Sequence, residues 1–252
     1  MSRTAGRVGW SPVGRSYHRA VLATDAATAA STWRPQEFGD RRARDIEDPI
    51  VEPLWTGPRI LALVDGQGVR MTDVNGVEVT GLDEIERALI DAAGGATLLL
   101  EAYLTPEPIQ EPTAIARRDD PAVPVLRQAL TQMVFGQRSN RPSRLADQAA
   151  EARHRSIDAA TGDVAFVAVD LLWLNTDPLL EVPLLERKRL LESALPESTL
   201  VRVGIHIRPP IDTWLGSWRM FGFSRVAFKA ANSRYVPGST NRDWAIARIP
   251  SR

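Results

Sequence analysis

The sequence predicts an α+β domain, in which strands and helices follow one another in irregular order. Residues 60–64 and 69–72 are apolar segments of strand length that flank Asp65-Gly66-Gln67-Gly68, a pattern typical of a β-hairpin. Residues 164–174 form a longer apolar strand, and residues 184–195, which follow Pro183, have helical spacing. Because these elements do not alternate regularly, the order favours an α+β domain over a βαβ repeat.

The remaining elements follow from local signals. Residues 82–93 have apolar positions at helical spacing and end at Gly94-Gly95, a typical helix stop. Residues 96–104 are predicted to be a buried strand. Five prolines between 106 and 124 exclude a regular element, so residues 105–125 are predicted to cross the surface irregularly. The other predicted elements are helices at 125–135 and 142–159 and strands at 201–207, 226–230 and 244–249.

The composition predicts one substantial domain with a leader. The chain has 252 residues, of which 44% are hydrophobic and 25% charged, enough to bury a large core. Residues 1–45 are rich in Arg, Ala and Thr and show no sustained period, which predicts a flexible leader. The domain is therefore expected to occupy residues 46–252.

Several classes of protein are disfavoured by composition. The chain has no cysteine, which excludes disulfides and thiolate metal sites. Its three histidines, His18, His154 and His206, are widely separated, so no metal site is predicted. No apolar run reaches the ~20 residues of a membrane span, and a cytoplasmic location is expected.

The charge is balanced overall but uneven along the chain. The formal net charge is zero, whereas residues 202–252 hold nine basic and two acidic side chains. This end of the chain either faces phosphate groups or forms a solvated arginine-rich surface that is balanced by acids elsewhere.

Six segments resemble motifs of bacterial end-joining-type ATP-dependent DNA ligases. Residues 52–59, Glu-Pro-Leu-Trp-Thr-Gly-Pro-Arg, are similar to the segment E-P-K-W-D-G-Y-R of that family. Residues 166–174 resemble its F-V-A-F-D-L-L-Y-L strand, and residues 183–191 the P-L-x-E-R-R-x-L-L helix. Residues 226–229, 233–238 and 242–244 resemble the closing V-V-A-K, S-x-Y-x-P-G and R-D-W elements. The motifs occur in the family's order over residues 48–250, which is more specific than any single motif.

The resemblance implies the fold of the family's adenylation (nucleotidyltransferase) domain. This ATP-grasp-like domain consists of antiparallel sheets flanked by helices. The sequence ends just after the last motif, so no OB-fold domain is expected.

The resemblance also implies a reaction, for which one residue is missing. In the family a lysine amine attacks the α-phosphate of ATP to form lysyl-AMP. Leu54 stands at the position of that lysine, and Thr56 at that of the motif's aspartate. The chain has only two lysines. Lys188 is expected to be a solvated charge on the exposed side of its helix, and Lys229 matches the lysine of the family's fourth motif, which contacts the nucleotide.

The other motifs also lack residues that contact the nucleotide in the family. Val169 replaces the phenylalanine that would stack on adenine, Ser224-Arg225 replaces a Glu-Gly pair, and Ile246 replaces a lysine. No catalytic residue and no metal ligand is therefore assigned, and no cofactor is expected, with ATP and Mg²⁺ bound only if the cleft is still functional. The residues assigned to a remnant nucleotide cleft are Arg59, Glu101, Lys229 and Arg248.

Some of these assignments leave alternatives open. Arg59 either contacts a nucleotide or is a surface residue at the start of a strand. Glu101, within a leucine-rich strand, either lines a polar cleft or forms an ion pair with a partner such as Arg59 or Lys229. Arg225 is expected on the same side of its strand as Lys229 because the side-chain period is two.

The aromatic residues are expected to be structural. Trp55, Trp173 and Trp244 lie in strand-like segments and are predicted to be core residues. Trp214 and Trp218 are four residues apart and either form a packing face of a helix or contact a partner; packing is favoured.

Three functional hypotheses follow from these features. The first is a non-catalytic ligase-like module that binds DNA through Arg225, Arg234 and Arg242, or binds a DNA-repair protein. The second is an active nucleotidyltransferase in which Lys229 serves as a relocated nucleophile. The third is a vestigial, structural relative of the ligases that act in DNA repair and end joining.

Overall fold

The computed structural model describes residues 25–106 and 164–250, and the fold is α+β as predicted. The helices are α1 (Ala26–Thr32), α2 (Asp83–Ala93), α3 (Leu184–Ala194) and α4 (Asp212–Met220), with a short 3₁₀ turn at Ala43–Asp45. The strands are β1 (Glu37–Phe38), β2 (Pro49–Pro53), β3 (Arg59–Asp65), β4 (Gly68–Asp73), β5 (Glu78–Val79), β6 (Leu98–Pro106), β7 (Val164–Leu174), β8 (Asp177–Pro178), β9 (Val201–Val203), β10 (Arg225–Ala230), β11 (Thr240–Asn241) and β12 (Trp244–Arg248).

A seven-stranded sheet forms the larger layer of the domain. Its strands follow the order β5-β4-β3-β6-β7-β8, and β9 pairs with β7. All pairings in it are antiparallel except the parallel pairing of β7 with β9. The β3–β4 hairpin confirms the prediction from the glycine-bearing turn, and Gly94, which ends α2 in the left-handed conformation, confirms the predicted helix stop.

A three-stranded antiparallel sheet forms the smaller layer, in the order β12-β10-β2. It brings the segment that resembles the first ligase motif, on β2, next to the segments that resemble the closing motifs, on β10 and β12. These strands are far apart in sequence, and their pairing is what assembles the candidate site.

Apolar side chains alternate between the two faces of the large sheet. One face, with Ile60, Leu100 and Phe166, packs against the buried sides of α2 and α3. The other face contributes to two further clusters. The first of them contains Trp33, Leu61, Trp173 and Trp244; the second contains Trp55, Val169 and Trp218. The three predicted core tryptophans are buried, and Trp214 and Trp218 pack together on α4, as favoured from the sequence.

The predicted flexible leader is wrong for residues 25–45. Helix α1 begins after Asp25, whose side chain accepts a hydrogen bond from the backbone of Thr28. Trp33 and Gln36 are buried, and the backbone N–H of Gln36 donates to the hydroxyl of Tyr235. This segment has no long apolar period, because its packing depends on a few separated residues. Residues 1–24 lie outside the described residues.

One predicted strand is shorter in the structure than expected, and three predicted segments lie outside the described residues. The segment 201–207 is a strand only over Val201–Val203; the chain then leaves the large sheet, and Ile207 forms an isolated bridge with Val51 of the small sheet. The proline-rich crossing beyond residue 106 and the helices predicted at 125–135 and 142–159 lie outside the described residues. Within the described ranges, no helix is long and apolar enough to cross a membrane.

Candidate functional site

One face of the small sheet carries the residues that matched the ligase motifs. Directly paired residues of neighbouring strands point to the same side, and every second residue repeats that side. The register therefore places Ile50, Lys229 and Trp244 in one row and Glu52, Ala227 and Ile246 in the next. A third row follows with Leu54, Arg225 and Arg248, because Arg225 pairs with Arg248 and the carbonyl of Arg225 accepts a hydrogen bond from the backbone N–H of Leu54. Arg225 therefore shares a side with Lys229, as the period predicted.

Glu52 binds both lysines of the chain. The Lys229 Nζ lies 2.8 Å from Oε2 of Glu52, and the Lys188 Nζ lies 2.6 Å from Oε1. All three side chains are buried. Burial acts to raise the pKa of Glu52, but the two ammonium groups outweigh it and hold that pKa at about 2. Burial also lowers the pKa of Lys188 below its usual value.

The prediction of a solvated Lys188 is therefore wrong. Helical spacing places Lys188 on the same side of α3 as Leu184, Arg187 and Leu191, all of which are buried. From there its Nζ also donates to the backbone carbonyl of Val169, at 2.5 Å. The neighbouring Arg187 and Arg189 suggested a charged surface, whereas the positions of Leu184 and Leu191 were the signal that could have revealed the buried side.

Arg59 and Glu101 form an ion pair between β3 and β6. The Arg59 Nε donates to Oε1 of Glu101 at 2.7 Å, and the Tyr235 hydroxyl donates to Oε2. Of the two alternatives for Glu101, the structure shows the ion pair with Arg59. Burial acts to lower the pKa of Arg59, yet Glu101 raises it overall, so the guanidinium stays charged. Burial and Glu101 together raise the pKa of Tyr235.

The ring of Phe38 lies between Arg59 and Lys229. The Arg59 Cζ is 5.6 Å and the Lys229 Nζ 5.9 Å from the ring centroid, and the Trp244 ring is 5.6 Å away. The Lys229 Nζ also lies 4.2 Å from the Trp244 ring centroid. Cations so placed are attracted to the aromatic faces. Two of the four residues assigned to the remnant cleft, Arg59 and Lys229, thus converge on a ring supplied by the segment that was predicted to be a leader, and a third, Glu101, is bound to Arg59.

Arg248, the fourth assigned residue, lies apart from this group. It lies directly opposite Arg225 in the strand register of β10 and β12, and both side chains are exposed. Arg225 is four residues from Lys229 on β10, which corresponds to about 13 Å along a strand. Leu54, at the position of the family's nucleophile, belongs to this exposed row and is half-buried.

The three arginines expected to contact DNA do not form one surface. Arg225 begins β10, whereas Arg242 follows β11 at the other end, where the Ala230 N–H donates to the carbonyl of Asp243. Arg234 is also near that end, since its carbonyl accepts from the Asn241 side chain, and its guanidinium is 2.5 Å from Glu181.

Val169 lies in one of the apolar clusters of the core. The cluster includes Trp55, Trp218 and Phe223, and the rings of Trp55 and Phe223 meet edge to face at 5.2 Å. Val169 is buried against these side chains.

A cavity of about 800 Å³ opens elsewhere, between α3 and residues 203–208. Its lining includes Arg189, His206 and Arg208, and none of the assigned site residues. These charged or polar side chains already have partners, namely Glu186, Glu192 and Asp48 respectively.

Apart from the exposed Arg248, the groups expected at an ATP site are either apolar or already bound to carboxylates. Leu54 offers no nitrogen, Lys229 is bound to Glu52, and Arg59 is bound to Glu101. Ile246 offers no charge to a phosphate. Among the described residues, no group of three or more His, Asp or Glu side chains is arranged to hold a metal ion.

Comparisons with known proteins identify the fold. No protein-family model matches the chain, and a search of curated proteins found no match. Among solved structures, the ligase domain of M. tuberculosis LigD superposes with a TM-score of 0.57 at 21% identity, over 86% of this chain and 60% of that one. A mycobacterial DNA ligase D complexed with ATP and MES gives a TM-score of 0.57 at 21% identity, over 85% of this chain and 59% of that one.

A third structure, Pmar-Lig_PreS3, gives a TM-score of 0.55 at 13% identity, over 86% of this chain and 46% of that one. The chain thus spans about 60% of the length of the LigD ligase domain. The α+β architecture, the paired sheets and these neighbours agree with the fold implied by the sequence motifs. The chain has the fold of the nucleotidyltransferase domain of ATP-dependent DNA ligases.

Proposed function

We propose that this chain is a non-catalytic, ligase-like module that binds DNA and does not form lysyl-AMP. The observation that carries the proposal is the absence of a free lysine amine. Leucine occupies position 54, and both lysines of the chain are buried and bound to one carboxylate, that of Glu52.

Formation of a phosphoramidate needs an unprotonated amine that can reach the α-phosphate. Leucine has no lone pair, and arginine stays protonated at any ordinary pH. One missing nucleophile is sufficient, since such a loss lowers turnover by roughly a millionfold in a well-studied hydrolase.

A relocated nucleophile is disfavoured by the contacts of the two lysines. Lys229 would have to leave both Glu52 and the face of Trp244, and breaking a buried ion pair costs about 3–5 kcal/mol. Lys188 has a lowered pKa, which increases its neutral fraction, but its side chain is fully buried and its Nζ is bound to Glu52 and Val169. Lys188 is therefore the second lysine that a test must include.

DNA binding is supported by the fold and by exposed arginines. The neighbours named as DNA ligases act on DNA, and residues 202–252 of this chain are strongly basic. Arg225, Arg234 and Arg242 are all exposed. A DNA-repair protein as partner is the alternative that these exposed arginines also support.

Two measurements test the proposal. Incubation with ATP labelled at the α-phosphate and Mg²⁺ should leave no covalent label; a label that disappears in Lys229→Ala or Lys188→Ala would establish the relocated nucleophile instead. Titration of a labelled duplex should show binding that weakens with salt and with the triple substitution of Arg225, Arg234 and Arg242 by Gln. Absence of both label and DNA affinity would favour the vestigial alternative.

A further inference from the structure

The exposed row at the end of the small sheet holds two arginines side by side. Arg225 and Arg248 are directly opposite on β10 and β12, so their Cα atoms are about 4.5–5.5 Å apart. Like charges in such positions destabilise a strand pair. Within the described ranges neither guanidinium forms an ion pair with a carboxylate that would offset the repulsion.

The surroundings of the pair are also positive. The same face of the small sheet carries Lys229, Lys188 reaches it from α3, and both lysines bind Glu52. Lys229 is about 13 Å along the strand from Arg225, and the single carboxylate of Glu52 is shared by two lysines, so this group adds a net positive charge to the same face. The remaining neighbours in the exposed rows, Leu54 and Ile246, are apolar and cannot neutralise charge.

The opposite end of β10 differs in its charge balance. Arg234 is paired with Glu181, and Asp243, next to Arg242, is 3.6 Å from Arg41. Acidic side chains therefore lie close to the arginines at that end, so the electrostatic attraction of an anion is weaker there than at Arg225 and Arg248.

Two adjacent guanidinium groups suit a phosphate group in particular. Each presents several N–H donors in a planar fork that matches phosphate oxygens, and both are held on a paired, regular strand. The flanking side chains of Leu54 and Ile246 are apolar and accept no hydrogen bonds, so the guanidinium N–H groups stay available to an anion.

We propose that Arg225 and Arg248 form a phosphate-binding site beside Leu54, through which the module holds a phosphate of DNA. This inference rests on the proposed function and assigns its main contact to one end of β10. The phosphate is either an internal phosphodiester or the monoester at a 5′ end; both have the same chemistry at the arginine pair.

The test compares two double variants that remove the same charge. Arg225→Gln/Arg248→Gln removes the proposed site, and Arg234→Gln/Arg242→Gln is the matched control at the other end of β10. Binding of a short fluorescent duplex is followed by anisotropy at several salt concentrations. The first variant should bind about tenfold more weakly or worse at low salt, with a salt slope reduced by about 2, while the control changes several-fold less.

Three further comparisons separate the possible outcomes. Arg225→Lys/Arg248→Lys, which keeps the charge, should retain most of the salt slope, and its melting curve checks that substitutions here leave the fold intact. The duplex is used with and without a 5′-phosphate: a dependence on that group assigns the site to an end, and independence assigns it to internal phosphodiesters. Equal weakening in the two double variants would overturn the site while leaving DNA binding in place, whereas no binding by the unaltered protein would overturn the proposed function itself.

Discussion

Arg187 and Asp170 form a buried ion pair between α3 and β7. Their side chains are fully buried, and two hydrogen bonds of 2.8 Å join the guanidinium to the carboxylate. Arg187 also donates to the carbonyls of Val182 and Ser233. Burial acts to lower the pKa of Arg187, but Asp170 raises it overall, so the guanidinium stays charged.

Substitution of Arg187 by Met should therefore be strongly destabilising. It leaves the Asp170 carboxylate buried without its partner, which costs about 3–5 kcal/mol of unfolding free energy. Denaturant unfolding measures the loss. The control Asp170→Asn/Arg187→Met removes both charges and should lose distinctly less; an equal loss in the two variants would refute the role of the ion pair.

His206 should make the fold sensitive to mild acid. Burial, followed by the charge of Lys188, lowers the pKa of His206 from 6.5 to about 4. The folded state therefore takes up this proton less readily than the unfolded state. The stability from the neutral imidazole is complete above pH 6.5 and is lost as the pH falls through 6.5 towards 4, by on the order of 2–3 kcal/mol.

Unfolding free energies between pH 7 and 4 measure this effect, with His206→Gln as the control that lacks the titrating group. A separate decline should follow at lower pH in both proteins, because the pKa of Glu52 is about 2 instead of 4.5. A flat profile from pH 6.5 to 4.5 in the unaltered protein would contradict the buried, uncharged state of His206.

The motif resemblance led to the expectation that Leu54 replaces a nucleophile, but it could not show which contacts the charged residues make. Motif spacing aligned Leu54 with the family's nucleophile and assigned Arg59, Glu101, Lys229 and Arg248 to one cleft, and the structure brings the first three of these four close together. It did not predict that Glu52 binds both lysines, because that contact joins β2, β10 and α3. Ion pairs between distant segments have no local pattern.

The N-terminal segment shows the corresponding limit for whole elements. Alternation and glycine turns identified β3, β4 and β7 well, since those signals are local. Helix α1 and β1 have no such signal. They are held by contacts of Trp33, Gln36 and Phe38 with distant parts of the chain.

Trp33→Ala tests whether residues 25–45 belong to the fold. The side chain is 4% exposed and its ring lies 6.1 Å from that of Trp173. Removing a buried tryptophan typically costs about 3–5 kcal/mol. Thermal unfolding should show the loss, and Val77→Ala, at a side chain that is 62% exposed, is the control expected to change little. An unchanged melting temperature in Trp33→Ala would instead support the original prediction that residues 25–45 are a flexible leader.

For the molecule as a whole, the fold of a ligase nucleotidyltransferase domain is present, and the replacement of its reactive groups is what the motif resemblance leads us to propose. The fold class and the order of motifs were predictable because apolar periodicity and glycine turns are distributed along the entire chain. The separation of Arg225 and Arg248 from Arg234 and Arg242 was not predictable, because it depends on how the small sheet assembles.

The most direct test of the proposal that the chain does not form lysyl-AMP is the intact mass of the protein after incubation with excess ATP and Mg²⁺. Electrospray measurement under conditions that preserve phosphoramidates should show the unmodified chain alone, because no amine in the site is free to attack. A species heavier by one AMP, absent from Lys188→Ala or Lys229→Ala, would show that a lysine leaves Glu52 to react and would contradict the account.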